Sequence, residues 1–316
     1  MSIGYGETRQ IDVPGYTRKI FHVSDVILNI ESEITQETIH GNSFLYFIND
    51  WQYGHVLQDV LAHYEFLRQS IPDLQLIILS QNEIDPKTGQ VKTVSPVINN
   101  IFDKYPDCIF VNDRDKILIK NIYYFFSLFM GQVVNVLETN KPIFGTDDPD
   151  FHYQVWAADF IKEKFKPINP VKPTRKLYIS RSIADKTYEK PYLEHHKKIR
   201  VLENSQLLED YLRSLDYEIV TNEGMSIEEQ AAMYQSASHV VTINGTGAYN
   251  TIFCDPGTKI FFLEIHTDFN WFFDYLTHSV SSNYVHMLPA IRTTNKPHKI
   301  VVEQLIACLQ DYEDIL

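Results

Sequence analysis

Short β-branched apolar runs alternate along the chain with longer stretches whose apolar residues recur at helical spacing, and the alternation predicts an α/β protein with a mainly parallel sheet. In the first half, Ile20 to Ile30 reads as a strand or hairpin and Phe44 to Ile48 as a strand. A helical period begins at His55, with Val56, Val60, Tyr64 and Leu67 on one face and Leu57 and Leu61 beside them. Leu74 to Leu79, Cys108 to Val111 and Lys116 to Phe126 each hold a strand, Val97 to Tyr105 is a short helix, and Phe151 to Phe165 an amphipathic one. Residues 1–19, polar with scattered glycines, read as an irregular lead-in, and residues 81–94, with Asp85-Pro86, as a surface loop. Pro167, Pro170 and Pro173 stiffen the next stretch and forbid a helix, so the pattern predicts two domains, 1–170 and 171–316.

The second half repeats the rhythm. Leu177 to Ser180 is a strand, Asp185 to Lys198 a polar loop, and Asn204 to Leu215 a helix capped by Asn204 or Ser205. After a strand at Tyr217 to Thr221, Ser226-Ile227-Glu228-Glu229 has the capping-box spacing and opens a helix to about Ala237. Strands follow at His239 to Ile243 and Lys259 to Ile265, then an aromatic helix at Phe269 to Leu276 and a closing helix at Lys299 to Leu309. This is a βαβαβ half-domain of the doubly wound kind, in which ligands bind beyond the carboxyl ends of the strands. Ser180-Arg181, the segment Asn244 to Asn250, and Glu264 all lie at such ends.

The stretch Thr242-Ile243-Asn244-Gly245-Thr246-Gly247-Ala248-Tyr249-Asn250 runs from strand to glycine turn to helix. Glycines let backbone N–H groups approach a ligand, and a helix N-terminus carries partial positive charge, so the arrangement suits an anion. The same two glycines equally serve a bare tight turn.

Composition narrows the classes. A chain of 316 residues that is 44% hydrophobic has material for two cores. Its formal net charge of -13 argues against a surface that coats nucleic acid, while leaving room for a small anion in a local basic pocket. Cys108, Cys254 and Cys308 are odd in number and have no CxxC spacing, which fits a reducing compartment better than a disulfide or zinc framework. Met1 to Gly15 holds no apolar signal core and no run is long enough to span a bilayer, so the expectation is a soluble, cytoplasmic protein.

In order, Leu177-Tyr178-Ile179-Ser180-Arg181, Arg200 to Asn204, Ser226 to Gln230, Asn244 to Asn250, Pro256-Gly257 and Glu264 resemble the motif series of glycosyltransferase family 61. Tyr53-Gly54-His55 to Asp59 and Ile117 to Phe126 resemble its first half, so the likeness covers roughly residues 44 to 265. Two positions depart from the family pattern: its turn histidine is Asn244, and the glutamate of its "NE" pair is Ser205. An asparagine still donates a hydrogen bond to an anion but carries no titrating proton. The resemblance implies two α/β domains facing a cleft in the GT-B manner. It also implies inverting transfer of a sugar such as xylose, N-acetylglucosamine or arabinose from a UDP donor to a glycan acceptor, with no cofactor beyond the donor. For a chain without an anchor, it implies a bacterial or viral enzyme of surface or capsid glycan synthesis.

With the family in view, Arg181 is placed to clamp the leaving diphosphate. Arg200 either joins it or pairs with its own charged loop. Ser180, Asn204, Asn244, Gly245, Thr246 and Gly247 complete the donor segment. Asn250 either touches the donor or fixes the turn, and Glu264 either holds sugar hydroxyls or is a buried structural acid. An inverting transfer needs a general base, and His55 with Asp59 four residues on is the candidate pair. The alternative is that His55 packs and Asp59 forms a surface ion pair. Asp148-Pro149-Asp150 has the DxD pattern of metal-dependent transferases but sits in a turn before a helix, where Asp is a common cap. His195 and His196 fall in a basic loop able to close over a donor. The alternatives as a whole are a degenerate glycan- or nucleotide-binding protein and a metal-dependent transferase.

Overall fold

The computed structural model describes residues 2–3, 6–13, 16–27, 37–39, 41–48, 53–71, 73–80, 96–112, 117–124, 149–167, 171–180, 201–202, 205–243, 246–263, 284–288, 292–293, 296–300 and 302–311. The chain forms two compact units, Met1–Ile161 and Lys162–Leu316.

The first unit is built from β1 (Ser2–Ile3), β2 (Gly6–Val13), β3 (Tyr16–Ile27), β4 (Glu37–Ile39) and β5 (Ser43–Ile48), then α1 (Tyr53–His55), a π-helical segment Val56–Leu61 and α2 (Ala62–Arg68). β6 (Gln75–Ser80), α3 (Pro96–Phe102), β7 (Ile109–Asn112), β8 (Ile117–Tyr124) and α4 (Pro149–Lys164) follow. Its sheet has the order β1-β3-β8-β5-β6-β7, with β2 on β3 and β4 on β8. The stretch β7-β6-β5-β8 is parallel throughout, and β3 joins β8 antiparallel. The chain steps outward from β5 through β6 to β7, then returns to the other flank of β5 as β8, so the order reverses beside β5.

The N-terminal expectation is corrected. β2 and β3 form a long antiparallel pair, from Gly6 and Val23 down to Val13 and Tyr16. Only Pro14 and Gly15 separate the two strands, and that dipeptide is the turn signal a polar composition obscured. The helix after β5 also differs in kind. Val56, Leu57, Val60, Leu61, Tyr64 and Leu67 are all buried as the periodicity predicts. But Val56–Leu61 winds with the wider π turn, an irregularity of backbone that side-chain pattern does not encode. Phe66 is buried as well and meets Trp156 of α4 edge-on, with ring centroids 5.3 Å apart, so apolar contact reaches beyond the predicted stripe.

The second unit contains β9 (Arg175–Ile179), β10 (Val201–Leu202), α5 (Ser205–Ser214), β11 (Glu218–Val220), α6 (Ile227–Gln235), β12 (Ala237–Ile243), a 3-10 helix Thr246–Phe253 and β13 (Lys259–Leu263). It closes with β14 (Tyr284–Leu288), β15 (Arg292–Thr293), β16 (Lys296–Ile300) and α7 (Val302–Gln310). Five strands make one wholly parallel sheet in the order β11-β9-β12-β13-β14. Alternate residues divide between its faces. Tyr178, Val241, Ile243, Phe261 and Leu263 share a core with Leu208 and Leu212 of α5 and Val302, Leu305 and Leu309 of α7. Leu177, Ile179, Val240, Thr242, Ile260 and Phe262, on the other face, are buried too. Both faces are covered, as a parallel sheet requires.

The helix α6 begins as predicted. Ser226 Oγ accepts from the Glu229 N–H at 3.2 Å, and Glu229 Oε2 accepts from the Ser226 N–H at 2.7 Å. The turn Asp255-Pro256-Gly257 closes with the Thr258 N–H on Asp255 O at 3.2 Å. Gly257 has φ +91°, which the second central position of such a turn demands. The closing helix, by contrast, starts later than predicted. Lys299 and Ile300 are strand residues of β16, and Pro297 just before them opposes a helix there.

Candidate functional site

The second sheet fixes the site by its topology. From β9 the chain first moves to β11 on one side, then crosses to β12 on the other, so adjacent strands β9 and β12 lead their connections in opposite directions. That is the switch point where a crevice opens at the carboxyl ends. Thr242 pairs in register with Ile179, so Ser180 and Ile243, the next residues, close the two strands at one level. Arg181 is joined covalently to Ser180, and Asn244-Gly245 to Ile243. The two segments singled out from sequence therefore leave the sheet side by side at its switch point. Arg181, Arg200, Asn204, Asn244, Gly245 and Glu264 themselves lie outside the described residues.

Ser180 is buried and tied on two sides. Its N–H donates to Val220 O at 2.8 Å, and its hydroxyl donates to Glu209 Oε1 at 2.7 Å. Glu209 is a buried acid of α5, and its Oε2 accepts from Arg213 Nη2 at 3.0 Å. A carboxylate with hydrogen bonds on both oxygens, one of them from a guanidinium, is tolerable away from water. The Ser180 proton is thus directed at α5, and the serine holds the end of β9 against that helix.

Beyond Ile243 the glycine turn runs into the 3-10 helix, whose backbone begins at Thr246 and Gly247. Asn250, in its middle, is 0% exposed, and its Nδ2 donates to Gln230 Oε1 at 2.7 Å. Gln230 is 2% exposed, and its Nε2 donates to Met225 O at 3.1 Å. Tyr234 of α6 is fully buried, accepts from Asn222 Nδ2 at 3.2 Å and hydrogen-bonds the Asn250 side chain as well. Burial raises the Tyr234 hydroxyl above its ordinary range, against the smaller opposing effect of these bonds. It therefore stays protonated at neutral pH. Thr251 Oγ1 donates to Ala248 O at 2.7 Å and closes the same helix internally. Gln230 and Tyr234 are buried partners of Asn250 that sequence reading did not place among the donor-binding residues. The signal for Gln230 was its place in the segment Ser226 to Gln230 that resembles the family's motif series.

Arg200 precedes β10 directly. β10 pairs parallel to β16, with Val201 opposite Lys299 and Leu202 opposite Ile300. Both strands feed helices, α5 and α7, which pack on one face of the main sheet. Only three residues join α5 to β11, so α5 starts at the carboxyl side of the sheet, and the small sheet β10-β16-β15 stands there with it. Lys296, His298 and Lys299 are thereby brought to the same side of the unit as the switch point. Sequence reading missed them, because that segment was assigned in part to a helix.

In the first unit, His55 ends α1 and Asp59 lies in the π-helical segment, both in the connection that leaves the carboxyl end of β5. The strand order reverses beside β5, so this connection occupies the corresponding switch point of the first sheet. Wide π turns recur at functional sites. Asp150 is the second residue of α4, inside the helix and not at its cap position, while Asp148, His195 and His196 lie outside the described residues. Among the described residues no helix is long and apolar enough to cross a membrane.

The family model described as Glycosyltransferase 61 matches residues 53–261. No curated protein matches the chain. Among solved structures, the chain is similar to the bacterial iron-containing dodecameric glycosyltransferase TibC from enterotoxigenic E. coli H10407, at 10% identity, covering 83% of this chain and 74% of that one with a TM-score of 0.31. It is also similar to a glycosyl transferase family 9 protein from Veillonella parvula DSM 2008, at 10% identity, covering 89% and 98% with a TM-score of 0.35.

Proposed function

Because the chain belongs to glycosyltransferase family 61 and is a glycosyltransferase, we propose that it is an inverting, metal-independent enzyme of GT-B architecture that moves a sugar from a UDP-sugar donor to a glycan acceptor. The second half binds the donor and the first half the acceptor, with the division near residue 170. The observation that carries the reading is the meeting of the Ser180 and Ile243 strand ends at one switch point, where the arginine-bearing segment and the glycine turn both begin. Arg181 and Arg200 neutralise the UDP leaving group as negative charge builds on it. The backbone N–H groups of Gly245, Thr246 and Gly247, with the amide of Asn244, add donors that cost no reorganisation during transfer. Glu264 follows the neighbouring strand and holds donor hydroxyls. His55, oriented by Asp59, takes the proton of the acceptor hydroxyl as that oxygen attacks the anomeric carbon and the UDP oxygen departs. No cofactor is needed beyond the donor. A cytoplasmic enzyme of surface or capsid glycan synthesis fits the cysteine usage.

Incubation of the purified protein with a panel of UDP-sugars tests the proposal. UDP release that persists in EDTA is the expected result, and no release from any UDP-sugar contradicts it. Asn244 in place of the family's histidine favours one other reading, a catalytically degenerate binder. Donor binding without transfer or hydrolysis across a broad acceptor panel would select that reading.

A further inference from the structure

Three elements at the carboxyl end of the second sheet are joined by one buried chain of hydrogen bonds. The Met225 carbonyl can only accept. It therefore fixes which way the Gln230 amide faces, with Nε2 on Met225 O at 3.1 Å and Oε1 turned to Asn250. Gln230 Oε1 can only accept, so Asn250 must present Nδ2 to it, at 2.7 Å, and turn Oδ1 the other way. Tyr234 accepts from Asn222 Nδ2 at 3.2 Å and is also hydrogen-bonded to the Asn250 side chain. Asn250 donates to Gln230 and Gln230 to Met225 O, while Tyr234 accepts from Asn222. The chain of bonds crosses from the end of β11, through both ends of α6, to the helix that the glycine turn opens.

We propose that Gln230, supported by Tyr234, is a positioning residue that holds the start of the 3-10 helix at Thr246–Gly247 in its binding geometry by gripping Asn250, and that Asn250 serves this helix and makes no donor contact. Gln230, Tyr234 and Asn250 are all buried, so misorienting any one leaves a polar atom without water or partner. A helix start whose N–H groups receive an anion gains from such a fixed anchor, because preorganised donors need no ordering when the ligand arrives. Asn250 lies three residues beyond Gly247, about one turn of the 3-10 helix. This inference rests on the donor-site reading above, but one arm of its test does not.

The test compares wild type with Gln230→Met, which keeps side-chain length without polar atoms, and with the milder Tyr234→Phe. Hydrogen exchange is followed at the amides of 246–250 and of β13, alongside the UDP dissociation constant. The expected result is exchange at 246–250 faster by about tenfold or more with β13 unchanged, and a UDP dissociation constant raised by about tenfold or more. A Gln230→Met, Asn250→Ala double variant should then bind UDP no worse than the weaker single variant, as residues acting in one unit require. Unchanged exchange at 246–250 in folded variants would overturn the inference. If the helix start loosens but UDP affinity stays within about twofold of wild type, the link to binding is overturned as well. Absence of UDP binding by wild type would remove the donor-site reading instead, and the exchange arm would still decide the positioning role.

Discussion

Asn250 Nδ2 lies 2.7 Å from Gln230 Oε1, in a site closed to water. Two short motifs twenty residues apart, a helix start and a glycine turn, are therefore one structural unit. Asn250→Ala deletes the donor and leaves Gln230 Oε1 unmatched. The expected loss is about 1–3 kcal/mol of unfolding free energy, read from denaturant melts. A loss below about 0.5 kcal/mol would mean that the bond carries little.

The capping box of α6 gives an independent check on local structure. Ser226→Ala removes the acceptor of the Glu229 N–H and should cost about 1 kcal/mol. Glu229→Gln keeps an oxygen for the Ser226 N–H and should cost only a few tenths, since glutamine serves the same box. Equal losses from the two variants would contradict this account.

Arg175 and Glu218 bridge β9 and β11 by two bonds, Nε to Oε1 at 2.9 Å and Nη2 to Oε2 at 2.6 Å. The Arg175 hydrogen bonds hold the Glu218 carboxyl below its ordinary range. A carboxylate with a lowered native pKa contributes stability above the unfolded value of about 4.3, and that contribution fades as pH falls through the native value. Both side chains are exposed, so solvent screening limits it to about 0.2–1 kcal/mol. The stability gap between wild type and Glu218→Gln should be present at pH 7 and close as pH falls below about 4. A gap that is the same at both ends of a pH series of melts would refute the assignment.

The base assignment predicts a split between chemistry and binding. His55→Ala should lower kcat by about 10²–10⁴, with UDP affinity unchanged, and Asp59→Asn should lower it less. Steady-state kinetics with the best UDP-sugar, paired with calorimetric titration of UDP, separates the two. Loss of UDP affinity equal to the loss of kcat would move His55 out of the base role.

What the sequence disclosed and what it hid divide along physical lines. The capping box and the parallel strands were legible, because each depends on residue types within a few positions. The N-terminal strand pair was not, since polar strands such as Gly6–Val13 lack the apolar alternation that marks a half-buried strand. β14, at Tyr284–Leu288, was missed because short apolar runs are ambiguous between strand and helix, and β16, at Lys296–Ile300, because it is polar and carries Pro297. The π turns at Val56–Leu61 leave the side-chain pattern almost unaltered. For the site, sequence placed Ser180 and Asn250 among donor contacts with Asn250 left open. Their bonds to Glu209 and Gln230 are long-range pairings that no local spacing reveals.

The central claim, a UDP-sugar site at the switch point of the second sheet, is met most directly by a thermal-shift measurement. Purified wild type and Arg181→Ala are melted with UDP, GDP, CMP and their sugar conjugates, with and without EDTA. A ligand that binds only the native state raises Tm by mass action. The account predicts a rise in Tm with UDP or a UDP-sugar that survives EDTA and disappears in Arg181→Ala. No rise with any nucleotide, or an equal rise in wild type and Arg181→Ala, would contradict it.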